Sequence, residues 1–168
     1  MPGTSFDRVA DIYDLTRGGE RRGDHFADDL QPWIVGRRVV ELGIGTGVIA
    51  RGLQRHGIDV AGVDLSEAMM KAAIDRVGNR VAVADVDRLP LPDDSVELLM
   101  LNNVNPVFAL PPDNPVKQAL EAKDLFVVAF SNFMDETAET ADLVLPVQMP
   151  LDRKSTRLNS RHRCLAKA

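Results

Sequence analysis

Residues 39–50 read VVELGIGTGVIA, in which Glu41, Gly43, Gly45 and Gly47 form the pattern E-x-G-x-G-x-G. Glycine lets a backbone adopt positive φ and lets a ligand approach with no Cβ in the way. A helix that opens directly after such a loop also presents free N–H groups to that ligand. The spacing is not that of the dinucleotide fingerprint G-x-G-x-x-G, because Val48 stands where the third glycine would be required. Two acids follow at comparable places. Asp64 ends the run IDVAGVDLS, where a carboxylate can accept hydrogen bonds from the two hydroxyls of a ribose. Asp85 ends RVAVADV, where it can accept from an exocyclic amine. Each has an ordinary reading by itself: a tight turn for the glycines, a helix cap or loop acid for Asp64, a solvated acid for Asp85. It is the ordered set, one member per strand end, that points to a nucleoside-bearing ligand.

These residues need a parallel sheet to bring them together, and the chain predicts one. Phe6, Val9, Ile12 and Tyr13 lie at helical spacing within 5–16, and Phe26, Leu30, Trp33 and Ile34 within 24–34. RRVVELG is a β-branched run ending in glycine, and residues 46–56 form a helix stopped by Gly57. IDVAGVDLS is a second strand. Ser66 is placed to cap the helix EAMMKAAIDRV, which Gly78 ends. RVAVADV is a third strand, LPLPDD a loop, and Ser95 to Leu101 a fourth strand. Alternation of strand and helix at this spacing predicts an α/β fold, a Rossmann-like parallel sheet with covering helices whose C-terminal strand ends border the ligand crevice. Farther on, NPVFALPPDNP is turn-like, PVKQALEA a short helix, DLFVVAFSNF a fifth strand, DETAETA a helical turn and DLVLPV a sixth strand.

Composition narrows the function. With 45% hydrophobic and 27% charged residues among 168, the chain has the balance of a globular domain. No apolar run reaches the roughly 18–20 residues of a membrane span, and the first residues lack the pattern of a secretory signal. The expected location is therefore the cytoplasm. A single cysteine, Cys164, excludes an intrachain disulfide and a cysteine-cluster metal site, and His25, His56 and His162 show no ligand spacing. No metal is expected. Residues 153–168 hold six Lys/Arg and no acid, whereas the rest carries 14 basic against 25 acidic side chains. Such a body is not a nucleic-acid surface.

The composition also shifts along the chain. All twelve glycines lie at or before Gly78. Residues 1–103 hold eleven Arg and four Pro; residues 104–152 hold no Arg and six Pro. A seam near 100–105 divides the chain into 1–101, 102–152 and a basic tail, 153–168, expected to be disordered and outside the core.

Residues 5–101 resemble a class I S-adenosylmethionine-dependent methyltransferase of the small-molecule type, through FDRVADIYDLTR, VVELGIGTGVIA, AGVDLSEAMM and VADVDRLPLPDDSVELLML. The resemblance implies that Gly43, Gly45 and Gly47 pass the methionine moiety, that Glu41 helps hold its amino group and that Asp64 binds the ribose. It further implies that Leu65 and Val86 line the adenine pocket, that Asp85 bonds the adenine amine, and that Tyr13 and Arg17 belong to a segment closing over the cofactor. The partner is a small-molecule methyl acceptor. No catalytic base is assigned, and Asn102 and Asn103 are read as a loop. The family continues with a helix, a fifth strand and a reversed hairpin. Here residues 104–152 are instead similar to molybdopterin-dependent oxidoreductases, through FMDETA (133–138) and ADLVLP (141–146), without the cysteines or the molybdenum-ligand segment. The tail RKSTRLNSRHRCLAKA is similar to translated adapter sequence. The alternatives to a methyltransferase are accordingly an oxidoreductase fragment or a chimeric reading frame without function.

Overall fold

The computed structural model describes residues 10–34, 36–85, 96–111 and 113–147, and the backbone of Leu165–Ala166. Two helices, α1 (Ala10–Arg17) and α2 (Gly19–Ile34), precede the first strand. The chain then runs β1 (Val39–Leu42), α3 (Val48–Arg55), β2 (Val60–Asp64), α4 (Glu67–Val77), β3 (Val81–Val83) and β4 (Leu98–Asn102). It continues through α5 (Pro106–Ala109), α6 (Val116–Leu120), β5 (Phe126–Phe130), β6 (Leu143–Leu145) and β7 (Leu165–Ala166). The sheet order is β3-β2-β1-β4-β5-β6-β7, and every pairing through β6 is parallel. The expected Rossmann-like α/β fold is therefore present.

Residue alternation shows how both sheet faces are buried. Val39, Leu98, Met100, Val128 and Phe130 point to the face covered by α2, α3 and α4. Val40, Leu42, Leu99, Leu101, Val127 and Ala129 point to the other, beneath Leu120 of α6 and Ala138 and Ala141 of the turn that follows β5. Strands buried on both faces read as continuous apolar runs, which is why VVEL, LLML and FVVAF look alike. Ser66 caps α4 as expected, its Oγ accepting from the Met69 amide at 3.2 Å.

Three elements depart from the sequence reading. Helix α2 begins at Gly19 rather than 24, because its first turns lean on glycine instead of apolar side chains. A Cβ on Gly23 would stand 2.0 Å from the Val48 carbonyl oxygen, and one on Gly52 would stand 2.4 Å from that of Gly23. The turn-like NPVFALPPDNP contains a one-turn helix, α5, capped by Asn105, whose Oδ1 accepts from the Phe108 amide. Residues 153–168 do not stay wholly outside the sheet: Leu165–Ala166 pair antiparallel with Leu143 and Val144 at its edge. The loop LPLPDD and the rest of the tail lie outside the described residues.

The fifth strand comes from beyond the compositional seam, and it is fully integrated. Leu98 to Asn102 pair with Phe126 to Phe130 residue for residue. Phe130 packs edge-on against Phe26 of α2 with centroids 5.0 Å apart, and Phe126 stacks on Trp33 at 5.9 Å. At the place where the methyltransferase resemblance implies a reversed strand, β6 runs parallel to β5.

Gly23→Ala should lower stability by about 3 kcal/mol or more, because two helix backbones must separate. Gly57→Ala, with φ +76° and nothing within 4 Å of the added Cβ, should cost only about 1–2 kcal/mol. Thermal melts of the two variants check the difference. A chain ending after Val104 should lose cooperative melting altogether, since β4 would expose an apolar edge. A calorimetric transition matching that of the full chain would contradict this.

Candidate functional site

The site grows from the C-terminal ends of β1, β2, β3 and β4. After Leu42 the backbone turns through Gly43 (φ +73°), Gly45 (φ +56°) and Gly47 (φ +76°), and Gly47 opens α3. All three occupy the left-handed region. At Gly43 the constraint is double, since a Cβ would also lie 2.5 Å from the Asn102 carbonyl oxygen. The loop is anchored on β2, where the Gly43 and Ile44 amides both donate to the Val63 carbonyl, at 2.9 and 3.1 Å.

Asp64 sits beside this loop. Its Oδ2 accepts from the Gly45 amide at 2.8 Å and its Oδ1 from the Ser66 amide at 2.9 Å. Each oxygen uses one lone pair in this way and retains another, so the carboxylate is fixed in orientation yet able to accept from two vicinal hydroxyls. Leu65, the next residue, is more than half exposed. Asp85 is exposed just past β3, whose Val83 is in register with Asp64. Val86 lies outside the described residues.

Glu41 occupies the centre of the sheet and is fully buried. The Asn102 side-chain amide donates to its Oε1 at 3.1 Å, while Oε2 has no hydrogen-bond partner. Burial pushes the Glu41 carboxyl up from 4.5 to about 8, against the opposing pull of Asn102 and of Arg22. Arg22 of α2 is half-buried, with its Nε and Nη2 shielded from solvent. Its Nε and Nη2 have no hydrogen-bond partner, its guanidinium lies 5.5 Å from the Phe26 ring centroid, and it bonds the Tyr13 side chain. Tyr13 is half-buried on α1, with the Arg17 guanidinium 5.0 Å above its ring. A buried acceptor oxygen on Glu41 and two shielded donor atoms on Arg22, all without partners, suit the ammonium and carboxylate of an amino acid.

The expected residues thus fall into two groups. Gly43, Gly45, Gly47 and Asp64 are hydrogen-bonded into one unit, and Asp85 lies two residues past the end of the strand beside it. Tyr13 and Arg17 belong to a second group that reaches Glu41 through Arg22. Arg22 was absent from the sequence reading, and its only signal there was a cation on the apolar side of an amphipathic helix. Asn102 corrects the reading of Asn102–Asn103 as a plain loop: it is the last residue of β4, and its amide is the hydrogen-bond partner of Glu41. Asn103 follows with φ +54°.

With this geometry, the chain belongs to the methyltransferase domain family, whose pattern it matches over residues 40–125. It is 40% identical over 106 residues to a malonyl-[acyl-carrier protein] O-methyltransferase of Halorhodospira halophila, an alignment covering 58% of this chain and 36% of that protein. The CcbJ methyltransferase of Streptomyces caelestis shares the fold with a TM-score of 0.56 and 27% identity, over 74% of this chain and 57% of that one. A stretch of 55 residues, 33% of this chain, is 49% identical to 8% of a menaquinone reductase molybdopterin-binding-like subunit of Nitratidesulfovibrio vulgaris. The chain therefore spans between about a third and three-fifths of the methyltransferases it resembles.

Glu41 gives the domain a distinctive pH response. An unfolded chain releases this proton near 4.5, whereas the folded one keeps it to about 8. Stability from this group is complete below the unfolded value, falls as pH rises between the two, and is lost above about 8. Glu41→Gln should remove that slope. Melting of the two proteins from about pH 5 to 9 should show the wild type losing ground to the variant until about pH 8 and then running parallel to it.

Proposed function

We propose that this domain binds S-adenosylmethionine and transfers its methyl group to a small-molecule acceptor. The observation that carries the proposal is the Gly45 amide donating to Asp64 at 2.8 Å, which makes the glycine loop and the ribose-binding acid one preformed unit. When bound, the cofactor supplies an electrophilic methyl carbon on a sulfonium. Asp64 accepts from the ribose hydroxyls. Glu41 takes the ammonium on Oε2, and Arg22 pairs the carboxylate through its free N–H groups. Leu65 and Val86 contribute apolar cover for the adenine and Asp85 an acceptor for its amine. Tyr13 and Arg17 close the methionine end. These residues orient the donor, and orientation alone lowers a displacement barrier by several kcal/mol. No base is assigned.

A second reading concerns residues 102–152. Their likeness to molybdopterin-dependent oxidoreductases, supported by the 55-residue similarity, is of structural use here: the segment contributes β5 and β6 to the sheet. Among the described residues no group of three His, Cys, Asp or Glu side chains is placed to hold a metal ion, and no helix is long and apolar enough to cross a membrane. The domain boundaries at 101 and 152 are part of this proposal, and the family match itself runs on to residue 125.

Titration calorimetry with S-adenosylhomocysteine tests the cofactor site. Binding to the full chain is expected, and Asp64→Ala should weaken it by about 1.5–3 kcal/mol, since two hydroxyls lose a charged acceptor. No heat at millimolar ligand would overturn the proposal, and an unchanged affinity in the variant would overturn the role of Asp64.

A further inference from the structure

Helix α1 is described over Ala10–Arg17, and its apolar contacts there are meagre, with Ile12 52% and Leu15 78% exposed. The glycine loop has the opposite deficit. Thr46 stands between two glycines with positive φ, so the local chain has little conformational preference of its own. The two weaknesses meet at one place. The Thr46 hydroxyl donates to Asp14 Oδ1 at 2.6 Å. Arg76 of α4 donates through Nη2 to Asp14 Oδ2 at 2.7 Å and through Nη1 to the Thr46 carbonyl. Thr46 is only 2% exposed, and the side chains of Arg76 and Asp14 are 22% and 27% exposed. Three groups from α1, the loop and α4 therefore close a ring of three hydrogen bonds, each with an ionised donor or acceptor, largely out of water.

We infer that Asp14 and Arg76 are positioning residues: acting through Thr46, they fix the shape of the glycine loop and hold α1, with Tyr13 on it, across the ligand crevice as a strap. The inference rests on the cofactor site proposed above. The loop is seized from both sides, since Gly45 is tied to Asp64 and the next residue to Asp14 and Arg76. The ring thus determines where the loop amides point, and binding energy is not consumed in ordering them. The same ring keeps Tyr13 beside Arg22. Loosening it frees the strap without disturbing the sheet, whose strands make none of these contacts.

The test uses the full chain with Asp14→Ala, Arg76→Gln and the double variant. In the ligand-free proteins, amide hydrogen exchange should accelerate about tenfold or more in residues 10–17 and 45–48 and stay unchanged in β1 and β4. Stopped-flow measurements with S-adenosylhomocysteine should show dissociation about tenfold faster in each single variant, association no slower, and the double variant no worse than the singles, as expected of one coupled unit. Arg76→Lys, which retains charge but lacks the planar fork that holds two acceptors at fixed positions, should lie between wild type and Arg76→Gln. It decides the matter by the same two readouts if the other variants fail to fold. Unchanged exchange in α1 and the loop, or acceleration spread evenly over the sheet, would overturn the inference. Wild-type protein that binds no S-adenosylhomocysteine would overturn the cofactor reading instead, and the exchange measurement would still decide the clasp.

Discussion

A glutamate sits in the interior strand β1, flanked by Val40 and Leu42 and shut off from solvent. Burying a carboxyl there is costly unless its surroundings are arranged for it, and much of the site is that arrangement. Asn102 reaches across from β4, and Arg22 reaches down from α2. To bring Arg22 that close, α2 must lie hard against the start of α3, which is where Gly23 and Gly52 remove the side chains that would keep the helices apart. Contacts from β4 and from α2 thus converge on one buried acid. The protein keeps this group nearly neutral and leaves one of its oxygens unengaged, a costly state for a purely structural residue and a useful one for a residue that meets a cation.

Asp64 shows the complementary strategy. It is ionisable and half-buried at a strand end, but two backbone amides fix its carboxylate. One acid is held by long-range side chains and the other by local backbone. They lie on adjacent parallel strands in neighbouring register, with Glu41 opposite Gly62. In the proposed function a single ligand lies along these strand ends, with its charged end at Glu41 and its sugar at Asp64.

How much of this could be read in the chain follows from the range of each interaction. The glycine loop, the Ser66 cap and the strands were legible because their causes are local: positive φ, a hydroxyl three residues before an amide, a run of apolar residues. Asp64 was legible because a strand end in a parallel sheet has a defined neighbourhood. Arg22 and the Asn102–Glu41 bond were not. The latter joins residues 61 apart in sequence, and nothing in the spacing of an asparagine pair says which one faces an acid. The early start of α2 was hidden because glycine carries no hydrophobic signal even where it is the most tightly packed residue of its helix. The parallel direction of β6 was equally out of reach, since DLVLPV suits either direction and only the connection before it decides.

The pairing of β5 with β4 shows how little a sheet asks of the strand that completes it. Apolar burial is non-directional and indifferent to ancestry. Phe126 to Phe130 needed only alternating faces, sufficient length and two aromatic rings at suitable positions to be accepted beside β4, with Phe130 lodged against Phe26. A Rossmann-like half-sheet is in this sense a permissive host: a run of suitable length and face pattern completes it without a new packing problem. The ligand-binding edge, by contrast, is built almost wholly from β1 to β4 and the helices before them. A change of strand beyond β4 can therefore alter one side of the sheet while leaving the cluster of Gly43, Gly45, Gly47, Asp64 and Glu41 in place.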